Sequence, residues 1–292
     1  MIERGRTALL LSPHLDDVAF SCGGIAAGLA RAGWRVIVAT AFTCSMHPAL
    51  GFALECQRDK GLADEIDYMA LRRDEDRDAC AALGAEQVLL DLPEAPNRGY
   101  GSAAALFEPP HQDDDVARPL AARLAALLAD LRPDLVLAPQ GCGRHVDHLR
   151  LIEAALDLRT RGLAGAAAFG FYRDTPYVIR DPDAAPDARV AAAGPHDIVV
   201  PIDEFARARK HEAVACYASQ LGFQFGSRML AWDALDALSA REAFDAFSAR
   251  DAFDALSGRD ALDAFSGRRA GRHGHAERLR TSDRDAFSFL LA

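Results

Sequence analysis

The chain has 292 residues, of which 50% are hydrophobic, so it can bury a large core, and α/β folds of this size commonly form one domain. A formal net charge of -10, with arginines scattered among acids, argues against a nucleic-acid partner. The six cysteines stand far apart, no apolar stretch reaches the ~18 residues of a membrane helix, and the N-terminus lacks the pattern of a signal peptide. We therefore expect reduced thiols in a cytoplasmic protein without a membrane span.

Short apolar runs alternate with amphipathic segments as far as Gln220. The runs predict buried strands at residues 7–12, 35–40, 87–90, 134–138 and 197–200, and the segments predict helices at 23–32, 62–83, 115–131, 147–161 and 203–220. Strands without polar alternation, separated by helices, indicate a parallel sheet that is covered on both faces. The predicted fold is α/β, a Rossmann-like three-layer sandwich with a mostly parallel central sheet. Ligands of such sheets bind beyond the carboxyl ends of the strands.

A nine-residue unit repeats four times between Ala234 and Arg269. Nine residues at about 100° each turn the apolar pair by half a turn from one unit to the next, so one continuous helix would be apolar on two opposite faces. Three interpretations stay open: helical pieces broken at Gly258 and Gly267, a two-sided helix between partners, or a poorly ordered insertion. We expect a catalytic domain at 1–230, the repeat insertion at 231–272 and a C-terminal segment at 273–292 that packs on the core.

The first predicted strand ends in a polar cluster that contains His14, Asp16 and Asp17. On a tight strand-to-helix turn, His14 and Asp17 can converge on one ion, while the carboxylate of Asp16 points to a different side. The fourth predicted strand leads into a loop that ends with His145, Val146, Asp147 and His148, and we expect this loop beside the first.

Two histidines three residues apart at a helix start face the same way, so His148 can complete a His-Asp-His set while His145 stays unligated nearby. Three protein ligands plus water form the arrangement of a catalytic zinc, although the same ligand types also suit iron or cobalt. Zinc would lower the pKa of its water and polarise an amide carbonyl. Asp16 is then the predicted general base, and His145 is predicted to stabilise the oxyanion. Asp147 is expected to orient one of the histidines.

Each motif has an ordinary structural explanation when it is taken alone. The acidic pair matches a helix N-cap with a first-turn acid, and the histidine pair matches a polar helix start. Both motifs follow predicted strands on the ligand-binding edge of the sheet, which favours the joint interpretation as one metal site. A dinucleotide-binding loop after the first strand is disfavoured, because the required glycine spacing is absent and the acids would repel a pyrophosphate.

The two-part motif, Pro13 to Asp17 with His145 to His148, resembles the PIG-L (LmbE-like) family of zinc N-deacetylases. The resemblance extends to the segments around Arg72 and Lys210 and covers residues 5–225. It implies His14, Asp17 and His148 as zinc ligands, Asp16 as the general base and His145 as the residue that assists the oxyanion. Leu15 and Val146 replace prolines that are usual in the family, and Val18 stands where many members have glutamate. None of the three is a predicted ligand or base, so we expect these differences to change the rigidity of the loops and the choice of substrate more than the hydrolysis itself.

The sequence therefore predicts zinc-dependent removal of an N-acetyl or other N-acyl group from an amino sugar, such as an N-acetylglucosamine conjugate, or another small glycoconjugate. Arg72 and Arg98 are candidate substrate contacts, the latter because it follows the third predicted strand. A second hypothesis is a non-catalytic metal-binding scaffold that uses the repeat as a partner contact. The carboxylate of Asp16 argues against it, because a scaffold has no use for a non-ligand acid at that position.

Overall fold

A mixed sheet runs through the centre of the molecule, whose computed structural model describes residues 5–256 and 274–291. Within those residues the sheet has seven strands: β1 (Thr7–Ser12), β2 (Arg35–Thr40), β3 (Ala85–Leu89), β4 (Leu135–Pro139), β5 (Ala168–Tyr172), β6 (His196–Pro201) and β7 (Ala276–Thr281). Their order is β3-β2-β1-β4-β5-β7-β6. Strands β1 to β5 are parallel to one another, and β7 is antiparallel to both β5 and β6. The predicted mostly parallel sheet is confirmed.

Helices connect and cover the strands. They are α1 (Asp17–Arg31), α2 (Gly51–Asp59), α3 (Tyr68–Leu83), α4 (Ala117–Leu131), α5 (Val146–Thr160), α6 (Tyr177–Arg180), α7 (Ala188–Ala193), α8 (Glu204–Cys216), α9 (Ala218–Phe225) and α10 (Arg228–Leu256). Short 3₁₀ helices occur at Ala95–Asn97, Ala105–Phe107 and Asp285–Leu290.

Two apolar clusters, one on each face of the sheet, form the core. Alternate residues of a strand point to opposite faces. In β1, accordingly, Leu10 packs with α1, α3 and α8 on one face, and Leu9 and Leu11 pack with α4 and α5 on the other. The predicted three-layer α/β sandwich is therefore confirmed.

Helix α1 has a kink at Cys22, whose backbone is non-helical (φ -133°, ψ 27°). The backbone N–H groups of Gly24 and Ile25 donate to the carboxylate of Glu277 on β7, at 3.0 and 2.8 Å. Lys210 of α8 donates to the same carboxylate at 2.7 Å. The C-terminal strand is thus tied to the helix that begins at Asp17.

The first two repeat units and the start of the third lie in the continuous helix α10. On its inner side the Ser239 hydroxyl exchanges two 2.8 Å hydrogen bonds with the backbone of Ala276 in β7. The predicted breaks at Gly258 and Gly267 lie outside the described residues. Near the C-terminus, Phe287 is fully buried against β5, and Phe289 stacks on Trp34 with 4.8 Å between ring centroids.

All six cysteines are free thiols. No helix in the described ranges combines the length and the apolar character needed to cross a membrane.

Candidate active site

The two sequence motifs meet at the C-terminal edge of the parallel strands. The neighbouring strands β1 and β4 each lead through a short loop into a helix, α1 and α5 respectively. Ligand atoms of His14, Asp17 and His148 lie within 4.8 Å of one another in these loops and helix starts. The structure thus brings the three predicted metal ligands into one cluster.

A tight turn after β1 shapes the first half of the cluster. The carbonyl of His14 accepts hydrogen bonds from the Ser12 hydroxyl at 2.7 Å and from the Asp16 backbone N–H at 3.0 Å. The His14 N–H donates to Asp17 Oδ2 at 2.8 Å, which curls this carboxylate back over the turn. His14 Nδ1 lies 3.3 Å from Asp17 Oδ2, and His14 Nε2 forms a 2.9 Å hydrogen bond with Asp147 Oδ2. Asp147 therefore orients His14, and not, as predicted, one of the two histidines that flank it in the sequence.

His148 supplies the other half and is fully buried. Its Nε2 lies 3.4 Å from Asp17 Oδ2 and has no hydrogen-bond partner within the described ranges. Its Nδ1 forms a 2.6 Å hydrogen bond with Asp174 Oδ1, and the other oxygen of Asp174 accepts from the Cys142 N–H at 3.1 Å. An ionised Asp174 keeps the proton on Nδ1 and leaves the Nε2 lone pair directed into the cluster, as in metal-binding histidines. Asp174 is not among the site residues predicted from the sequence.

The electrostatics of the cluster favour a cation. Burial opposes protonation of His14, but the hydrogen bonds to Asp147 and Asp17 outweigh it, so the pKa of His14 is raised well above its usual value. Burial also works against ionisation of Asp17, yet His148 and His14 lower its pKa to about 2. The ionised carboxylate and the two imidazoles, one of which has a buried nitrogen without a partner in the described residues, make a set of three donors that fits a divalent metal such as zinc.

A second set of donors, His14 with His145 and Asp147, also lies within 4.8 Å. The carboxylate of Asp147 is already engaged, because its oxygens are 2.7 Å from Arg98 and 3.1 Å from the Ala95 N–H. The His14, Asp17 and His148 set, with its unpartnered nitrogen, fits the metal better.

Asp16 is buried beside this cluster and lines the adjoining cavity without being one of the three predicted ligands. Burial raises the pKa of its carboxyl to about 6, against the opposing effect of Arg72, whose guanidinium lies 3.3 Å away. Arg72 also pairs with Glu94 at 2.7 Å. A carboxyl whose pKa is near the operating pH is suited to accept a proton and later to donate it.

His145 caps the start of α5, where its Nδ1 accepts a 3.2 Å hydrogen bond from the Asp147 backbone N–H. Burial, with a further contribution from His14, lowers the pKa of His145 to about 3. The ring is therefore neutral at physiological pH and carries its proton on Nε2. His145 lines the cavity and can act there as a hydrogen-bond donor.

Arg98, a predicted substrate contact, lies behind Asp147 and is not among the cavity-lining residues. Its guanidinium contacts Asp147 at 2.7 Å and both carboxylate oxygens of Asp114 at 3.1 Å, and it donates to the Pro93 carbonyl at 2.7 Å. Because Asp147 in turn holds His14, this geometry suits support of the cluster better than contact with a substrate. Arg72, in contrast, does line the cavity.

The cavity beside the cluster has a volume of about 300 Å³, at the lower end of the range for small-molecule sites. Its floor contains His14, Asp16, Asp17 and His145. Its outer walls come from α2, the start of α3, the 3₁₀ helix Ala105–Phe107 and the end of α9, and they include the aromatic side chains Phe52, Tyr68, Phe107 and Phe223.

The chain is thus an α/β protein of the Rossmann-like sandwich class, with a histidine–carboxylate cluster that could hold a divalent metal at the ligand edge of its sheet. Within that class, the family model of PIG-L, the GlcNAc-PI de-N-acetylases, matches residues 9–158. The chain belongs to this family, which confirms the resemblance found in the sequence.

Named relatives are deacetylases. The chain is similar to a 2'-N-acetylparomamine deacetylase of Streptomyces fradiae, with 36% identity over 60% of this chain and 59% of that protein. It is also similar to a protein of the same name from Niallia circulans, with 30% identity over 61% of this chain and 70% of that one. The match thus spans less than two thirds of the Streptomyces protein. A solved structure of the A40926 pseudoaglycone deacetylase Dbv21 superposes with a TM-score of 0.72 at 26% identity, over 96% of this chain and 97% of that one.

Proposed function

We propose that this protein is a zinc-dependent N-deacetylase that hydrolyses an N-acetyl or other N-acyl group on an amino sugar or a sugar-containing small molecule. The observation that carries the proposal is the fully buried Nε2 of His148, which faces Asp17 and has no hydrogen-bond partner in the part of the chain that the structure describes, while the carboxyl of Asp16 lies outside the predicted ligand set. A structural metal site has no need of such an extra acid in an adjoining cavity.

His14, Asp17 and His148 would hold the metal. When bound, zinc lowers the pKa of water and polarises the acyl carbonyl of the substrate. Asp174 and Asp147 fix the two histidine rings through the hydrogen bonds described above.

The remaining steps belong to side chains of the cavity. Asp16 accepts the proton of the attacking water and then donates it to the departing amine, so the acyl group leaves as a carboxylate and the sugar nitrogen as an amine. His145 donates a hydrogen bond from Nε2 to the oxyanion of the tetrahedral intermediate. Arg72 holds the carboxylate of Asp16 in place from the cavity wall and is a candidate contact for the substrate.

The amino-sugar substrate is supported by the relatives, since two of them are named for deacetylation of 2'-N-acetylparomamine. A cavity of about 300 Å³ with polar groups at its floor and aromatic rings in its walls also suits a sugar ring, which presents both hydroxyl groups and apolar faces.

The test combines metal content with amine release from a panel of N-acetylated amino sugars, for the native protein, Asp16→Ala and His148→Ala. We expect about one zinc per native chain and measurable amine release, retained zinc without turnover in Asp16→Ala, and loss of both in His148→Ala. Zinc without turnover on every substrate would favour the non-catalytic scaffold instead. A native protein that binds no divalent metal would refute the mechanism.

A further inference from the structure

Lys60, which follows α2 on the cavity wall, is a half-buried cation without a carboxylate partner among the described residues. Its ammonium donates to the Cys56 carbonyl at 2.9 Å. It also lies over the rings of Phe223 and Tyr68, at 4.5 and 5.3 Å from their centroids. Lys210, the other lysine of the sequence, is buried and paired with Glu277 at 2.7 Å. The two lysines therefore differ, because Lys210 has a carboxylate partner and Lys60 makes no ion pair with any residue that the structure describes.

Arg180, at the end of α6, is a second cation on the cavity wall, and it is exposed to solvent. Its guanidinium donates to the amide oxygen of Gln224 at 2.7 Å and makes no ion pair within the described ranges. Gln224 directly follows Phe223, over which Lys60 lies. Lys60 and Arg180 thus both contact the C-terminal end of α9, through consecutive residues of that helix.

None of the acids that line the cavity makes an ion pair with either cation within the described residues. Asp17, Asp67 and Asp147 are bound instead by the His14 N–H, the Ser45 hydroxyl and Arg98, respectively. Asp16 and Glu94 both pair with Arg72, at 3.3 and 2.7 Å. Asp59 lines the rim and is exposed to solvent. Burial, together with repulsion from Arg72, lowers the pKa of Lys60, although Cys56, Glu94 and Asp16 act in the opposite direction. Charged groups removed from water are usually paired, so an anionic ligand group would be favoured here.

We propose that Lys60 and Arg180 form a subsite for an anionic substituent of the substrate, such as a carboxylate, sulfate or phosphate, beyond the N-acylated sugar. The inference rests on the proposed deacetylase function, because it assigns a charge class to the substrate of the same cavity. The two side chains would repel a polycationic amino sugar, such as the one for which the paromamine deacetylases are named. Those relatives therefore support deacetylation of an amino sugar here, whereas the subsite predicts a substrate of the opposite charge.

The experiment compares three N-acetylglucosaminides that differ only in the charge of the aglycone: n-propyl, 3-sulfopropyl and 3-aminopropyl. A sulfonate is a poor metal ligand, so any gain in affinity of the sulfopropyl compound comes from its contacts with the cavity wall more than from binding to the zinc. Dissociation constants are measured by calorimetry on the zinc-loaded Asp16→Ala protein, and amine release is measured separately on the zinc-loaded native protein. Both cations are then removed in Lys60→Met/Arg180→Gln. Arg58→Gln is the matched control, because Arg58 lies on the same helix, is exposed and does not line the cavity.

We expect the sulfopropyl ligand to bind at least about tenfold more tightly than the aminopropyl ligand, with the neutral ligand between them. The double variant should bring the three affinities within about twofold, and Arg58→Gln should leave the order intact. Arg180→Gln alone, at an exposed position, should reduce the difference and provides the test if Lys60→Met does not fold. Equal affinities, a preference for the amine, no binding of any ligand or an unchanged order in the variants would overturn the subsite. The same affinity order without any amine release would support the subsite and count against deacetylation of these glucosaminides.

Discussion

Replacement of Asp174 by asparagine is a demanding test of how the histidine ligands are held. Each oxygen of this carboxylate accepts one hydrogen bond, Oδ1 from His148 Nδ1 at 2.6 Å and Oδ2 from the Cys142 N–H at 3.1 Å. Asparagine has only one acceptor oxygen, so its NH₂ group must face one of these two donors. Either the Cys142 N–H loses its acceptor or His148 is driven into the tautomer that carries its proton on Nε2, where the metal should bind.

We expect zinc affinity to fall by about 10- to 100-fold, the usual effect of losing such a supporting carboxylate, which corresponds to ~1.4–2.7 kcal/mol. Competition with a chromophoric chelator measures the dissociation constant directly. Asp157→Asn is the matched control, because Asp157 makes an exposed ion pair with Arg161 far along α5 from the cluster. A zinc affinity of Asp174→Asn within twofold of the native value would refute the assigned role of Asp174.

Three further substitutions test other parts of the structure. His145→Ala should lower kcat by about 100- to 1000-fold through loss of an oxyanion donor, with zinc content unchanged; loss of zinc would instead make His145 a ligand. Glu277→Gln should lower the free energy of unfolding by ~3–5 kcal/mol, because it leaves the Lys210 ammonium buried without its carboxylate. Urea titration measures this free energy, and a change under about 1 kcal/mol would contradict the account. Phe287→Ala should lower the free energy of unfolding by ~3–5 kcal/mol, because it opens a cavity under β5. Phe244→Ala, at an exposed position, should lower it far less. Equal losses in the two variants would show that the C-terminal segment does not pack as described.

The site residues that could be predicted from the sequence are those that directly follow an apolar strand. β1 and β4 are continuous apolar runs, so the polar residues directly after them stood out and could be assigned to one edge of the sheet. His14, Asp17 and His148 were therefore expected to lie together, and they do. The physical reason is that neighbouring parallel strands place their C-terminal loops side by side.

Two strands escaped prediction for different physical reasons. β5 follows a segment rich in alanine and glycine that does not contrast with its surroundings. β7 has the sequence AERLRT, whose three charged residues do not suggest a buried strand. It is nevertheless an internal strand of the sheet, because its charged side chains form ion pairs: Glu277 with Lys210, and Arg280 with Asp197 at 3.4 Å. Partners distant in sequence cannot be read from a local pattern.

Asp174 was not predicted because β5, the strand that precedes it, was not predicted. Asp174 lies two residues after the end of β5, the position that attracted attention after β1 and β4, and recognition of β5 would have brought it into the search. Arg98 illustrates the opposite case: its place after a strand was read correctly, but the direction of its guanidinium toward Asp147 depends on tertiary packing. The predicted helix 203–220 likewise divides at Tyr217, whose hydroxyl donates to Asp76 on α3 at 2.7 Å.

The position of β7 also affects the order in which the chain can fold. In the described sheet β6 pairs only with β7, which is made after the whole of α10 and the repeat. During synthesis β5 must therefore present an open edge, and β6 must remain without a partner, until the residues of β7 have emerged. Contacts between segments so distant in sequence slow folding and prolong the exposure of strand edges. Truncation before β7 should thus yield an aggregation-prone chain even though every proposed metal ligand and catalytic residue lies upstream of it.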